Sequence, residues 1–492
     1  MRLGSGIASK EFFLFLLPLF FVLHGYIDNL EAMRFSEAAG LLGEYVLISL
    51  ILLGNTFLIF RSQRKAALFS FALLFLHLFF GAFHDALKRI FPNTFLVQYS
   101  FLLAFLLLAF ILLFITLKRT RRSMSRVAMY LNGLLLLFIL LEIPNYVKAG
   151  NKIKPMATLA QTTVCDTCEK PDVYLIIADE YADSASLKQI FNFDNSAFQN
   201  ALRSRGFHIV ENSKSNYNFT PFAMASLFQM NFLTGIKGHN QNLDDKNRCY
   251  DLINNAPLWN FFRQQGYTIE NNSIFNTGNI PTEAPQNYIL IGKDMIVSHT
   301  LWSRLNKDLR YHLVTTLKIE SEIDRMAHFI HRCNQLLLSQ LLNDAKEQTG
   351  RPKFVYTHLT MPHYPYYFRK DGKANPVEVL MEGQQVRKKE YLEYLQYSNA
   401  LFLETIDQIL TKSKNPPIIL FMGDHGFREF TDGFEKNAPF YYMNLNAVLV
   451  PNSNYKEFYN GISGVNQFRA LLNTSFGQHI PYVKDSSILL YE

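Results

Sequence analysis

The sequence predicts a multi-pass α-helical membrane domain followed by an α/β domain, with a mostly parallel sheet sandwiched by helices. Three observations carry this reading. Long apolar stretches crowd into the first third of the 492 residues. Beyond them, short continuous apolar runs alternate with segments of helical periodicity, as strands buried on both faces of a parallel sheet require. Those runs end in carboxylates and imidazoles rather than in random polar residues. The length exceeds one ordinary core, so a two-part chain is the natural prior.

Five stretches have the apolar length to cross a bilayer, for which a helix needs about 20 residues: Phe12–Tyr26, Leu41–Phe60, Ala66–Ala86, Phe95–Leu117 and Val127–Val147. The first is the shortest. Apolar residues favour insertion by about 0.3–0.6 kcal/mol each and a central charge costs about 2.5–3.5 kcal/mol, so the charge-free fourth stretch inserts unaided. Basic residues set the orientation. Arg2 and Lys10 precede the first stretch, Arg61, Arg64 and Lys65 separate the second and third, and Lys118, Arg119, Arg121, Arg122 and Arg126 separate the fourth and fifth. The alternate loops hold only Arg34, Lys88 and Arg89, beside Asp28, Glu31 and Glu37. The positive-inside rule therefore places the N-terminus in the cytoplasm and everything after an odd number of crossings outside it. No small-residue cleavage site follows the first stretch, which argues against a removed signal peptide. His24, His77 and His84 read as interfacial residues near helix ends.

The formal charge of +7 has a membrane meaning, since much of the excess sits in these short loops; nucleic-acid binding is excluded as a reading. Residues 1–147 are thus expected to be the membrane domain, 148–170 a polar linker, and 171–492 the extracytoplasmic domain. All four cysteines, Cys165, Cys168, Cys249 and Cys333, follow the last apolar stretch. Cys165-Asp-Thr-Cys168 lacks both a second CxxC and a strand–helix redox context, so it reads as a structural disulfide or two free thiols.

In the second part, Val173–Ala178, Phe354–Tyr356 and Ile418–Met422 are the strand candidates. Helices are expected over Asn195–Arg205, closed by Gly206, and Leu258–Gln265, closed by Gly266, and over the long stretches Glu320–Gln348 and Lys388–Lys412. Ligands of an open parallel sheet gather beyond the carboxyl ends of its strands. There the sequence supplies Asp179 and Glu180, then His358 and His363, then Asp424 and His425 followed by Gly426. Carboxylates and imidazoles meeting at one sheet edge describe a divalent metal site. Thr220 stands before Pro221 and the periodic stretch Phe222–Met230, where an N-cap belongs. A helix N-terminus also attracts phosphate, and a metal beside a hydroxyl makes it nucleophilic. The Asp324-x-x-x-His328 pair lies in a helical pattern and reads as a solvated face.

Together these residues resemble the sulfatase-like branch of the alkaline-phosphatase superfamily, over roughly Pro171 to Leu490. The matching pieces are Pro171-Asp-Val-Tyr-Leu-Ile-Ile-Ala-Asp179-Glu180, Ser215-Asn-Tyr-Asn-Phe-Thr220 with Ala225-Ser226, Pro362-His363-Tyr-Pro365-Tyr, and Gly423-Asp424-His425-Gly426. With membrane helices in front, the chain looks like lipoteichoic-acid synthases and lipid A phosphoethanolamine transferases. The resemblance implies an alkaline-phosphatase-like sheet and one divalent metal ion, zinc or manganese, held by Asp179, Thr220, Asp424 and His425, with Glu180 as a further candidate. Thr220 and His363 would be catalytic; His358 and Arg428 would bind substrate. The implied reaction moves a phospho-head-group, of phosphoethanolamine or phosphoglycerol type, from a membrane phospholipid through a phosphothreonine to a glycan or lipid acceptor of the envelope. The implied location is a bacterial inner membrane with the catalytic domain in the periplasm. A hydrolase using water at the same site, or an inactive scaffold, are the alternatives. One departure is informative: sulfatases need Cys or Ser in a Cys/Ser-x-Pro-x-Arg context, and Thr220-Pro221-Phe222 cannot be converted to formylglycine, which argues against sulfate-ester hydrolysis.

Overall fold

In the computed structural model the described residues are 10–30, 33–92, 94–152, 162–234, 236, 243–284, 292–347, 349–381, 387–430 and 433–491. Arg2, Glu31 and the middle of the expected linker, 153–161, lie outside them. The chain divides into two compact units: Met1–Lys154 with Gln286–Ile319, and Pro155–Pro285 with Glu320–Glu492. Part of the stretch expected to form the second domain therefore groups with the first.

The first unit holds helices α1 (Phe13–Asp28), α2 (Phe35–Phe60), α3 (Gln63–Ile90), α4 (Tyr99–Arg119) and α5 (Ser125–Lys152). Four of them, α2 to α5, are long and apolar enough to cross a membrane. The first expected stretch forms α1, a shorter apolar helix of 16 residues, which rises about 24 Å at 1.5 Å per residue. Phe13, Leu14 and Leu17 of α1 are buried among side chains of α2, α3 and α5. Two polar pairs lie inside the bundle, where the low dielectric favours pairing: Thr56 Oγ1 lies 2.8 Å from Ser70 Oγ, and buried Glu142 lies 3.0 Å from His24 Nδ1. His77 departs from the sequence reading. α3 runs on to Ile90, so His77 sits mid-helix with its ring against Tyr45. His84 is nearer the end, fully buried, with Nε2 2.8 Å from Val97 O.

The second unit is built on a six-stranded sheet of order β2-β6-β5-β1-β4-β3. Its strands are β1 (Val173–Ala178), β2 (His208–Ile209), β3 (Thr268–Asn272), β4 (Lys353–Leu359), β5 (Ile418–Gly423) and β6 (Asn446–Leu449). The three expected runs are its three central strands, and every residue of β1, β4 and β5 is buried. β1 pairs in parallel with both neighbours, Ala178 standing opposite Leu359 and Gly423. Only β6 runs against β5 and β2, so the sheet is mixed but mostly parallel. β4 extends past Tyr356, which places His358 inside the strand rather than after it. The helices come close to expectation: Ser196–Arg203, Pro257–Gln264 and Lys388–Lys412. The exception is the stretch from Glu320, which breaks at His328 into Glu320–Ala327 and Phe329–Lys346. Asp324 and His328 form an ion pair of 3.0 Å with Asp324 exposed, the solvated face expected of them. Cys165 and Cys168 are disulfide-bonded, and Cys249 and Cys333 are buried thiols.

Candidate metal centre

Equal register of the three central strands makes the site. Because Ala178 and Gly423 lie side by side, the next residues, Asp179 and Asp424, leave the sheet together at its carboxyl edge. β1 lies between β5 and β4, so the connection from β4 to β5 crosses over it, and open α/β sheets bind ligands beyond the carboxyl ends of such strands. The turn after β5 is tight. A Cβ on Gly426 would fall 2.1 Å from Phe440 O and 2.5 Å from Met443 O, both backbone atoms. Gly426→Ala must push the turn off the Phe434–Tyr442 helix, with an expected loss of about 2 kcal/mol or more, read as a lowered midpoint in thermal unfolding.

Asp179, Asp424 and His425 each present a ligand atom, all within 4.8 Å of one another. His425 Nε2 is 3.4 Å from Asp424 Oδ2 and 3.8 Å from Asp179 Oδ1. Thr220 Oγ1 is 3.3 Å from the same nitrogen. Asp424 is fixed through its other oxygen, Oδ1, which accepts the backbone N–H groups of Glu180 at 2.9 Å and His425 at 2.8 Å. His425 Nδ1 donates to Gly426 O at 2.8 Å, which leaves a lone pair on Nε2 facing the two carboxylates. Burial pushes the His425 pKa down, keeping the ring neutral. Burial also opposes the charge of Asp179, but His363 and His358 outweigh it and hold the carboxyl well below its usual range.

Whether these residues suit a cation is decided by atoms left over. Asp179 Oδ1 and Asp424 Oδ2 are buried and have no hydrogen-bond partner among the described residues. Two buried carboxylate oxygens facing one imidazole lone pair and a hydroxyl would be costly alone. A divalent ion satisfies all four, so the donor set fits.

A second group adjoins the first. Glu180, whose backbone is left-handed at φ 61°, points away from Asp424. Its Oε1 accepts the Arg428 N–H at 2.8 Å and Oε2 lies 3.8 Å from His363 Nε2. Glu180, His363 and Glu429 present atoms within 4.8 Å of one another. Burial drives the Glu180 carboxyl up to about 8. For His363 burial favours the neutral ring, yet Asp179 and Glu180 raise it to about 9. His363 Nδ1 donates to Tyr364 O at 2.6 Å, which aims Nε2 at Glu180. His358 is fully buried, with Nε2 3.7 Å from Asp179 Oδ2 and Nδ1 2.9 Å from the Tyr356 hydroxyl. Arg428 stacks its guanidinium 4.3 Å from the Phe219 ring, next to Thr220.

The structure thus brings Asp179, Thr220, Asp424 and His425 together, sets Glu180 with His363, and buries His358 behind Asp179. Phe219, extended, is the cap of the Thr220–Gln229 helix, with Thr220 its first helical residue. The reason is the extended backbone at Phe219, whose carbonyl takes the N–H groups of Phe222 and Ala223. The Thr220 hydroxyl is not used as a cap. Glu429 was not singled out from the sequence; its place in the Asp424-His-Gly-Phe-Arg-Glu stretch was the available signal.

No protein-family model matches the chain, and no curated protein does. Solved structures do resemble it. The zinc-bound C-terminal periplasmic domain of EptC from Escherichia coli aligns with a TM-score of 0.41 at 10% identity, covering 68% of this chain and 90% of that one. The periplasmic domain of the phosphoethanolamine transferase EptC from Campylobacter jejuni aligns at 0.35 and 13%, covering 67% and 97%. A phosphonate monoester hydrolase of Agrobacterium radiobacter aligns at 0.39 and 12%, covering 65% and 76%. The site's own geometry, not this likeness, defines it: a carboxylate–imidazole–hydroxyl cluster at the carboxyl edge of a mostly parallel sheet.

Proposed function

We propose that the chain is a membrane-anchored, metal-dependent phosphotransferase of the sulfatase-like branch of the alkaline-phosphatase superfamily. The observation that carries this reading is the meeting of Thr220 Oγ1 with His425 Nε2 beside two unpartnered buried carboxylate oxygens. Asp179, Thr220, Asp424 and His425 would hold one divalent ion, zinc or manganese, since both accept oxygen and imidazole donors. Bound there, the ion supplies Lewis acidity, lowering the pKa of a hydroxyl and offsetting charge on phosphate oxygens.

The remaining chemistry belongs to the chain. Thr220 opens its helix, so the amide dipoles favour a phosphate at its hydroxyl. Thr220 gives its hydroxyl proton to solvent, and its alkoxide Oγ attacks the phosphodiester phosphorus of a phospholipid; the Oγ–P bond forms, the bond to the diacylglycerol oxygen breaks, and the second step returns Thr220 as the alkoxide. His363, kept protonated by the ionised Asp179 carboxylate, gives the leaving oxygen its proton. The head-group phosphate stays on Thr220 until a hydroxyl of an envelope glycan or lipid displaces it, returning that proton to His363. Arg428, stacked on Phe219, adds positive charge at the phosphate, and His358 steadies Asp179 from behind.

The donor is insoluble in water, which gives the membrane unit its purpose. Its topology would place the N-terminus in the cytoplasm and the catalytic unit in the periplasm of a bacterial inner membrane. Residues Lys293 and Arg304 support this, pairing with Glu44 early in α2 and Asp85 late in α3. Those ends lie away from the basic loops.

The test is incubation of detergent-purified protein with phospholipid labelled in the head group, with and without an added glycan acceptor. Label passing to the acceptor, with diacylglycerol release that depends on it, is the expected result. Release in water alone would replace transfer with hydrolysis.

A further inference from the structure

The stretch Gln286–Ile319 interrupts the catalytic unit in sequence yet belongs to the membrane unit. Its described part is tied to three helices. Ile296 is buried in the apolar core shared with α1, α2, α3 and α5, so close to Gly25 of α1 that a Cβ there would fall 2.8 Å from its side chain. Gly81 of α3 donates its N–H to His299 O at 2.8 Å, and a Cβ would fall 2.3 Å from that oxygen. Arg304 Nη2 lies 2.7 Å from Asp85 Oδ2 and Lys293 Nζ 3.0 Å from Glu44 Oε1. Close packing at two glycines and two ion pairs on different helices make this a built contact.

The helix that follows, Leu301–Thr315, carries Trp302 and Leu309 seven residues apart, hence on one face. Trp302 is 68% exposed and Leu309 56%; Leu317, just beyond, is 64% exposed. Lys307, Arg310 and Lys318 are exposed too. At the end of α3 where Arg304 docks, Ile90 and Phe91 are exposed as well, so the apolar surface continues that of a helix built to meet lipid. Large exposed apolar residues with a flanking tryptophan and cations are the composition of a helix lying in a membrane interface.

We propose that Leu301–Thr315 is an interfacial helix bedded in the outer leaflet, with Trp302 and Leu309 at the headgroup–acyl boundary. Lys307, Arg310 and Lys318 meet lipid phosphates. The catalytic unit is thereby joined to the membrane by a peripheral contact inserted in its own sequence, in addition to the chain leaving α5. The inference rests on the membrane reading of the first unit and is independent of the chemistry, so it stands or falls separately from the phosphotransferase reading.

The chain has two tryptophans, and Trp259 is 1% exposed in the other unit, which makes Trp302 the reporter. Full-length protein is reconstituted into phosphatidylcholine–phosphatidylglycerol vesicles containing lipid brominated near the headgroup end of the acyl chains. Subtracting the emission of Trp302→Phe isolates the Trp302 signal. Brominated lipid is expected to quench that signal several-fold more strongly than aqueous iodide does. Strong quenching by iodide with none by brominated lipid would place the helix in water and overturn the proposal. Resistance to both quenchers would overturn it too, since Trp302 would then be covered by protein, a second copy included.

Discussion

Thr220→Ala is expected to lower turnover by about a thousandfold or more, the scale on which loss of a covalent nucleophile is felt, while leaving the fold intact. The hydroxyl bonds no backbone group of its helix, and its described contact is His425 Nε2 at 3.3 Å. Thermal unfolding of the metal-free variant should therefore match that of the parent within about 0.5 kcal/mol, as for substitutions that break no buried network. Thr220→Ser keeps an attacking oxygen and should retain part of the activity. In the parent, donor phospholipid without acceptor should leave a phospho-adduct on the peptide containing Thr220, detected by mass spectrometry and missing from Thr220→Ala. An alanine variant as active as the parent would show that the threonine does no chemistry.

Asp424→Asn is expected to abolish activity by emptying the centre. The carbonyl of asparagine can still accept the N–H groups of Glu180 and His425 that Oδ1 accepts now, so the turn survives. The amide group would then take the place of Oδ2, the unpartnered oxygen, and an NH2 cannot ligate a cation. Metal affinity should fall by at least about 100-fold, beyond the 10- to 100-fold typical of an outer-shell change. The readout needs no substrate. At a free metal concentration of about 100 times the dissociation constant, binding adds about 2.7 kcal/mol to stability, so zinc or manganese should raise the unfolding midpoint of the parent after chelation and hardly move that of Asp424→Asn. Equal shifts in both proteins would place the binding elsewhere.

Much of the second unit was legible because its central strands are buried on both faces. Such strands announce themselves as unbroken apolar runs, and Val173–Ala178 was delimited to the residue. The acidic and imidazole residues after them followed from the rule that parallel strands deliver ligands at one edge. The peripheral strands were silent for the opposite reason. β2 has two residues and β6 four, too few for a period to emerge. Glu180 illustrates a different limit. Neighbours in sequence turn to opposite sides at a left-handed residue, so Asp179 and Glu180 serve separate groups, and no spacing rule reports a φ of 61°. Leu301–Thr315 shows a third. An amphipathic helix has the same pattern whether its apolar face meets a sheet or a bilayer, and only the contacts of Ile296, Arg304 and Lys293 reveal its unit.

Anomalous diffraction from crystals of the protein grown with zinc or manganese, recorded on either side of the metal's absorption edge, reads the centre directly. One strong peak is predicted beyond the ends of β1 and β5, with a carboxylate oxygen of Asp179, Thr220 Oγ1, Asp424 Oδ2 and His425 Nε2 each about 2.0–2.2 Å from it. A peak held instead by Glu180, His363 and Glu429, with Thr220 out of reach, would contradict the account.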